Sequence, residues 1–518
     1  MRTTGQRLAG PQRRLVIGVC IAAGAAYMQP ATYNYIVTPI LVTFDAGNSA
    51  AAGLREAPSV ASLLVIFLTA VLAERFGARR VVSVGAVVLV LGSLVVAVAP
   101  LLTVAIAGLA LQAVGATVLL VVPLATIAAS LRDPGTRASG FAIFSMVSPL
   151  VFVALPVLTA LLMERYSWRV VAFTWAVGGG VALLAGRWAL SADPGNRGSH
   201  ELLTPALAGV LCVGLVQLAS HIELSMLTAV RAAITVTAAL GLFVALRRAH
   251  RPSLNTAILH GRGMLLVLTV VALWCFTQLW YYMTLAYEYV FGLSVLITAA
   301  LMVPAQASAA IGAHVAGRLV RRRGITATGC GLLMVTGAAM ALSTVLGLDS
   351  PLWWPVFVTS LYSFAAVAAG VPITNAVMDG ADAGDEAGAS AYRQAAISVG
   401  TAVGIALTSA LVMATFTSSL TTQLQTQGLD NATANQIAVD LRSGVGVQQE
   451  SVTYAVGIDD VQDIDDAQKQ AYLAAIDTQG WTGAVASVLT AGLFWVGRRR
   501  TDQQPHPASV VGAVRPPS

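Results

Sequence analysis

Long apolar runs broken by short polar links set the pattern of this chain. The link AVLAERFGARRVV (70–82) is typical: it lies between the apolar stretches Ser62–Thr69 and Val81–Ala99, and it concentrates Glu74, Arg75, Arg79 and Arg80. A membrane-crossing helix needs about 20 apolar residues. Hydropathy on that scale predicts fourteen segments, at roughly 15–41, 57–73, 81–99, 102–130, 139–163, 169–190, 203–220, 226–246, 263–291, 294–316, 327–347, 352–378, 390–416 and 480–497. With the N-terminus placed inside, 24 of the 30 basic residues fall on inner segments, and only Arg55, Arg165, Arg169, Arg231, Arg442 and Lys469 fall outside. Positive charge is retained on the cytoplasmic side, so both termini are expected there, in a multi-pass protein of the plasma membrane.

Composition strengthens this picture. Of 518 residues, 57% are hydrophobic and 10% charged, with a mean hydropathy of +0.76. A soluble chain carries about 25% charged residues, so lipid is the expected solvent. The net charge of +6 does not point to nucleic acid, because the arginines sit between spans rather than along a stripe. Cys20, Cys212, Cys275 and Cys330 fall in apolar runs without metal-ligand or disulfide spacing. No metal site, catalytic constellation or cofactor is expected, and no G-x-x-x-x-G-K-[ST] phosphate loop is present. Arg13, Arg14 and the small residues 22–26 imitate a secretory signal. The run continues to Phe44, which predicts an uncleaved anchor.

The first link has a counterpart. GRLVRRRG (317–324) aligns with it at a constant offset of 247, pairing Gly317 with Ala70, Arg321 with Glu74, and Gly324 with Gly77. Parallel repeats of this kind mark carriers built from two similar halves. The expected organisation is a six-helix bundle over 1–190, two inserted helices over 203–247, a second bundle over 263–416 completed by 480–497, an outer acidic loop over 417–479, and a disordered tail over 498–518.

AVLAERFGARR resembles the G-x-L-a-D-r-x-G-r-r/k signature of the major facilitator superfamily, and the segment count resembles its fourteen-span drug:proton antiporter branch, the EmrB/QacA type. YSWRVVAF (166–173), AYEYVFGLSVLITAALMVP (286–304) and AGASAYRQAAISVGTAVGIAL (387–407) resemble further stretches of that branch. The resemblance implies an all-α integral membrane protein of the major facilitator fold. It also implies a conformational latch built from Glu74, Arg75, Gly77, Arg79, Arg80, Gly317, Arg321 and Gly324, in which Glu74 faces an arginine and a helix N-terminus of the other half. Read from topology alone, these charges would only orient the links. Departures from the branch are concrete: Gln29 stands where an acid is usual, Leu109 where an arginine is usual, and only Pro156 remains of a G-P-x-x-G-G step.

Candidate substrate and coupling residues are few. Trp274, Gln278, Tyr281 and Glu288 would share one face of a continuous helix, with Glu288 near the outer mouth. An interfacial aromatic belt with a solvated Glu288 is the plainer reading. Gln29 and Asn34 in the first span and Gln112 in the fourth are polar groups in lipid spans, where helix–helix hydrogen bonding competes with ligand binding. Arg393 is expected to snorkel to the cytoplasm, or to act in coupling. The outer loop carries −7, and DDVQDIDDAQ lacks the glycine and terminal Glu of a calcium loop.

The expected function is a monomeric secondary-active exporter of small hydrophobic or amphiphilic compounds, antibiotics included, driven by a proton gradient. The composition suggests a bacterium. The alternatives are an uncoupled facilitator, a dedicated metabolite or lipid exporter, or a degenerate carrier acting as a membrane sensor or scaffold.

Overall fold

The computed structural model describes residues 10–46, 48–192, 195, 201–221, 226–248, 255–276, 278–380, 385–426, 431–432, 434–435, 438 and 461–499. Among them the secondary structure is helical: α1 (Gly10–Thr43), α2 (Asn48–Phe76), α3 (Ala78–Ala97), α4 (Leu102–Ser130), α5 (Pro134–Arg165), α6 (Trp168–Ala189), α7 (Leu203–Ser220), α8 (Met226–Arg248), α9 (Arg262–Phe276), α10 (Leu279–Tyr289), α11 (Val295–Arg323), α12 (Ile325–Leu342), α13 (Trp353–Asp379), α14 (Glu386–Thr426) and α15 (Val461–Arg499). Thirteen of the helices contain stretches long and apolar enough to cross a bilayer. The shorter apolar helix α9 is followed closely in the chain by α10.

Packing repeats between the halves. In the first half α3 lies on α4 and α6, α2 on α4, and α1 on α4, α5 and α6. The second half reproduces every pairing: α12 on α13 and α15, α11 on α13, and α9 on α13, α14 and α15. Contacts between halves obey the same symmetry, since α5 meets α11 and α13 while α14 meets α2 and α4. The fold is therefore two six-membered bundles related by a pseudo-twofold axis. The inserted α7 packs against α2, α14 and α8, bridging the seam between bundles.

Small residues make this packing close, as in other lipid-embedded bundles. A Cβ on Gly92 of α3 would fall 2.3 Å from the Gln112 backbone nitrogen of α4. On α14, a Cβ on Gly404 would fall 2.2 Å from the Cys275 carbonyl oxygen of α9. The two links also match in backbone: Gly77 has φ 83° and Gly324 φ 82°, each capping the helix that follows. That region is open to glycine and strained for other residues, so the offset of 247 marks a true structural equivalence.

Two expectations change. Segment 263–291 is broken after Phe276, and the Gln278 side-chain amide donates to the Trp274 carbonyl oxygen at 2.5 Å, taking up a group that the helix no longer satisfies. The spans flanking 417–479 do not stop at that segment's edges. α14 has 41 residues and α15 has 39. At 1.5 Å per residue they run about 60 Å, twice the ~30 Å hydrocarbon core. Apolar residues there escaped a hydropathy reading because they are diluted by polar ones: Leu420, Leu424, Ala471, Tyr472 and Ile476 pack with Met283 and Ala286 of α10. The Tyr472 hydroxyl donates to the Tyr282 carbonyl oxygen at 3.2 Å. Of the loop's acids, Asp430, Asp440, Glu450, Asp459 and Asp460 lie outside the described residues, as does the tail from 500.

Candidate functional site

A cavity of 1060 Å³ lies between the bundles. α1 contributes Ala26, Gln29 and Pro30; α2 contributes Arg55, Glu56, Ser62, Leu63 and Ile66; α4 contributes Ala113, Thr117 and Leu120; α14 contributes Gln394, Ile397, Thr401 and Ser409. The inserted α7 supplies Val213, Val216 and Gln217, and His221 follows at its end. Most of this surface is aliphatic, with scattered amides and hydroxyls. Glu56 is the carboxylate among the lining residues. Its Oε2 accepts from Gln217 Nε2 at 3.2 Å, and its Oε1 lies 3.1 Å from His221 Nε2. The other ring nitrogen, Nδ1, lies 3.1 Å from the Gln217 carbonyl oxygen.

The cavity is sealed at the end that carries the Gly77 and Gly324 links. Ser390 Oγ of α14 donates to the Val121 carbonyl oxygen of α4 at 2.8 Å, and Tyr392 meets Phe67 edge-on at a centroid distance of 5.2 Å. On the symmetry-related face, Arg321 Nη1 of α11 donates to Ser139 Oγ of α5 at 2.6 Å, and Gly317 packs against Ala142. Arg137 of α5 is paired with Asp379 at the end of α13, whose other oxygen lies 3.9 Å from Arg498 Nη1 of α15. One carboxylate thus joins arginines from both halves.

The sequence-selected residues divide between the seal, the cavity and neither. Arg321 and Gly317 bridge the halves as above. Glu74 is half-buried near the N-terminus of α14, where the charges bearing on it are the carboxylates of Asp385 and Glu386. The charges bearing on Glu74 are thus acids, where the resemblance implied an arginine. Arg75 lies over the Phe76 ring at 5.1 Å; Arg79 is half-buried and Arg80 exposed. Gln29 lines the cavity. Gln112 does not: it is fully buried, and neither amide atom has a partner among the described residues. The break after Phe276 removes the continuous face proposed for Trp274, Gln278, Tyr281 and Glu288. Trp274 is 37% exposed, Gln278 is buried, and Glu288 is half-buried within electrostatic reach of Tyr35 of α1. The side chains of Asn34 and Tyr281 lie outside the described residues. Arg393 does not snorkel. Its Nε donates to Thr374 Oγ1 of α13 at 2.8 Å, and its charge bears on Tyr27 of α1, one residue from the cavity-lining Gln394.

Sequence reasoning passed over Glu56, Gln217, His221, Asp379 and Arg498. Arg137–Asp379 spans 242 residues and Gln217–Glu56 spans 161, distances that no periodicity covers. A usable signal did exist: Glu56 and His221 each stand beside a long apolar run, at ends that the hydropathy pattern places on one side.

Comparisons with known proteins agree with this architecture. The human organic anion transporter MFSD10 (TETRAN) superposes with a TM-score of 0.63 at 14% identity, covering 94% of this chain and 100% of that one. A bacterial homologue of the iron transporter ferroportin, solved in an outward-facing state with soaked iron, gives 0.56 at 12% identity, covering 94% of this chain and 99% of that one. At such identities the likeness is one of fold. No curated protein sequence matches the chain. The family model described as Major Facilitator Superfamily matches residues 15–405, taking in the first bundle, the inserted helices and most of the second bundle. Twinned bundles, paired glycine links and this match lead to one conclusion: the chain belongs to the major facilitator superfamily, and it is a multi-pass membrane carrier.

Proposed function

We propose that this carrier exports small hydrophobic or amphiphilic compounds across the bacterial plasma membrane by alternating access, coupled to protons. The observation that carries the reading is a roomy, largely aliphatic cavity between symmetric bundles, sealed at the end that carries the two glycine links. A volume of 1060 Å³ suits a drug-sized molecule. Scattered amides and hydroxyls orient such a guest without demanding one fixed pattern of donors. On the arginine bias the sealed end is read as cytoplasmic and this conformation as outward-facing. The printed cargoes of the fold neighbours, organic anions and iron, belong to those proteins; the cargo class here is drawn from this cavity.

Alternating access follows from the two-bundle design. Rocking the bundles would break the Arg137–Asp379 pair and the Ser390–Val121 bond, opening the inner end. The test is uptake of ethidium into proteoliposomes holding the full chain under an imposed pH gradient. Gradient-driven accumulation supports the proposal, and flux indifferent to the gradient indicates a facilitator. Absence of flux for ethidium and for uncharged chloramphenicol removes the amphiphile reading.

A further inference from the structure

We propose that Glu56 and His221 form a proton–cation exchange site, so that the inserted helix α7 belongs to the transport machinery. The inference rests on the carrier reading above and names the ligand class of its cavity. Three observations carry it. First, Glu56 lies in the cavity wall, half-buried, and among the described residues its oxygens are held by an amide and an imidazole, not by a guanidinium. Arg55 lines the same rim, but its charge bears on Tyr33 of α1.

Second, both nitrogens of His221 face oxygen atoms: Nε2 faces the Glu56 carboxylate and Nδ1 faces the Gln217 carbonyl, each at 3.1 Å. A neutral imidazole has one N–H and can satisfy only one of them. Both contacts are made when the pair holds one more proton, either on the ring as imidazolium or on Glu56 as the acid. Third, the site lies at the end of the cavity away from the Ser390–Val121 seal, and Glu56 and His221 both line the cavity there. Among the described residues no other charged side chain lines the cavity from α1, α4 or α14. Glu223, two residues beyond His221, lies outside the described residues.

The exchange balances. A cationic amphiphile seats its charge against the Glu56 carboxylate, the extra proton leaves to water, and His221 remains as neutral imidazole bonded to the Gln217 carbonyl. Charge in the site is unchanged: one cation replaces one proton. A neutral guest gains nothing there, and an anion is repelled by the carboxylate.

Tetraphenylphosphonium and tetraphenylborate are nearly the same size and opposite in charge, so they isolate the claim. Binding is measured on the full chain in nanodiscs against empty nanodiscs, in weak buffer at pH 6.5 with a pH indicator. The expected result is tetraphenylphosphonium binding with release of up to one proton, and at least tenfold weaker binding of tetraphenylborate. Glu56→Gln keeps an oxygen for Gln217 and should weaken tetraphenylphosphonium at least tenfold without proton release. His221→Asn should bind the cation and release no proton. Should Glu56→Gln fail to fold, His221→Lys leaves Glu56 in place, adds a fixed competing cation, and should likewise lose the ligand. Preference for tetraphenylborate, cation binding that ignores Glu56→Gln and His221→Lys, or binding without proton release in the wild type each overturns the proposal. If neither ion binds while ethidium or chloramphenicol is still transported, the exchange site fails and the carrier reading stands.

Discussion

Replacing Asp379 with Asn keeps the side chain's size and removes the charge that joins Arg137 and Arg498. The three side chains are 21%, 18% and 10% exposed, so solvent screens them only in part. A hydrogen bond to a charged group contributes about 1.5–3 kcal/mol. The second guanidinium, at 3.9 Å, lies in the same bundle as Asp379, so it holds the carboxylate in place without itself joining the halves. A loss of about 2 kcal/mol from the sealed state is a roughly thirtyfold change in the equilibrium between states. A carrier resting at about 30:1 in favour of the seal would move to about 1:1. Spin labels at Arg132 and Arg322, both exposed at the sealed end of opposite halves, read the change as a distance distribution. Asp379→Asn should raise a longer-distance population, while Asp379→Glu, which keeps the charge, should stay near wild type. An Asp379→Asn distribution that overlays the wild type would refute the assignment of Asp379 as the catch.

Other substitutions report on packing and backbone. Gly404→Ile drives a side chain into the α9 backbone and should lower the melting temperature in detergent, at a cost of about 1–3 kcal/mol or more. Gly324→Ala meets no neighbouring atom, so a drop in melting temperature there, about 1–3 kcal/mol, isolates the cost of φ 82°. Gly331→Ala is also uncrowded but helical, and should leave the melting temperature unchanged or slightly raised. Tyr472→Phe removes the bond to Tyr282 and should speed amide hydrogen exchange in α10, with an effect of about 1 kcal/mol.

The helices and the repeat were legible because lipid imposes them: each crossing must be apolar, and Gly77 and Gly324 had to be glycine to hold a positive φ. The break after Phe276 was not legible, since no proline or glycine marks it and the compensating bond comes from a glutamine side chain. The cavity was harder still. Between its terminal turns α7 is apolar around its circumference apart from Gln217, so no pattern separated its cavity face from its lipid face. Glu74 illustrates the converse. Its motif was easy to find, yet its surroundings depended on where the α14 N-terminus brings Asp385 and Glu386. Motifs locate the glycine links, while the cross-half partners are set by tertiary packing.

Alternating access requires that one cavity be exposed at one end at a time. Two label pairs in the same nanodisc preparation test this directly: Arg132 with Arg322 at the sealed end, and Leu101 with Trp353, both exposed, at the opposite end. On passing from wild type to Asp379→Asn, the first distance should lengthen while the second shortens. Both distances lengthening together, or the first changing while the second stays fixed, would contradict alternating access by these two bundles.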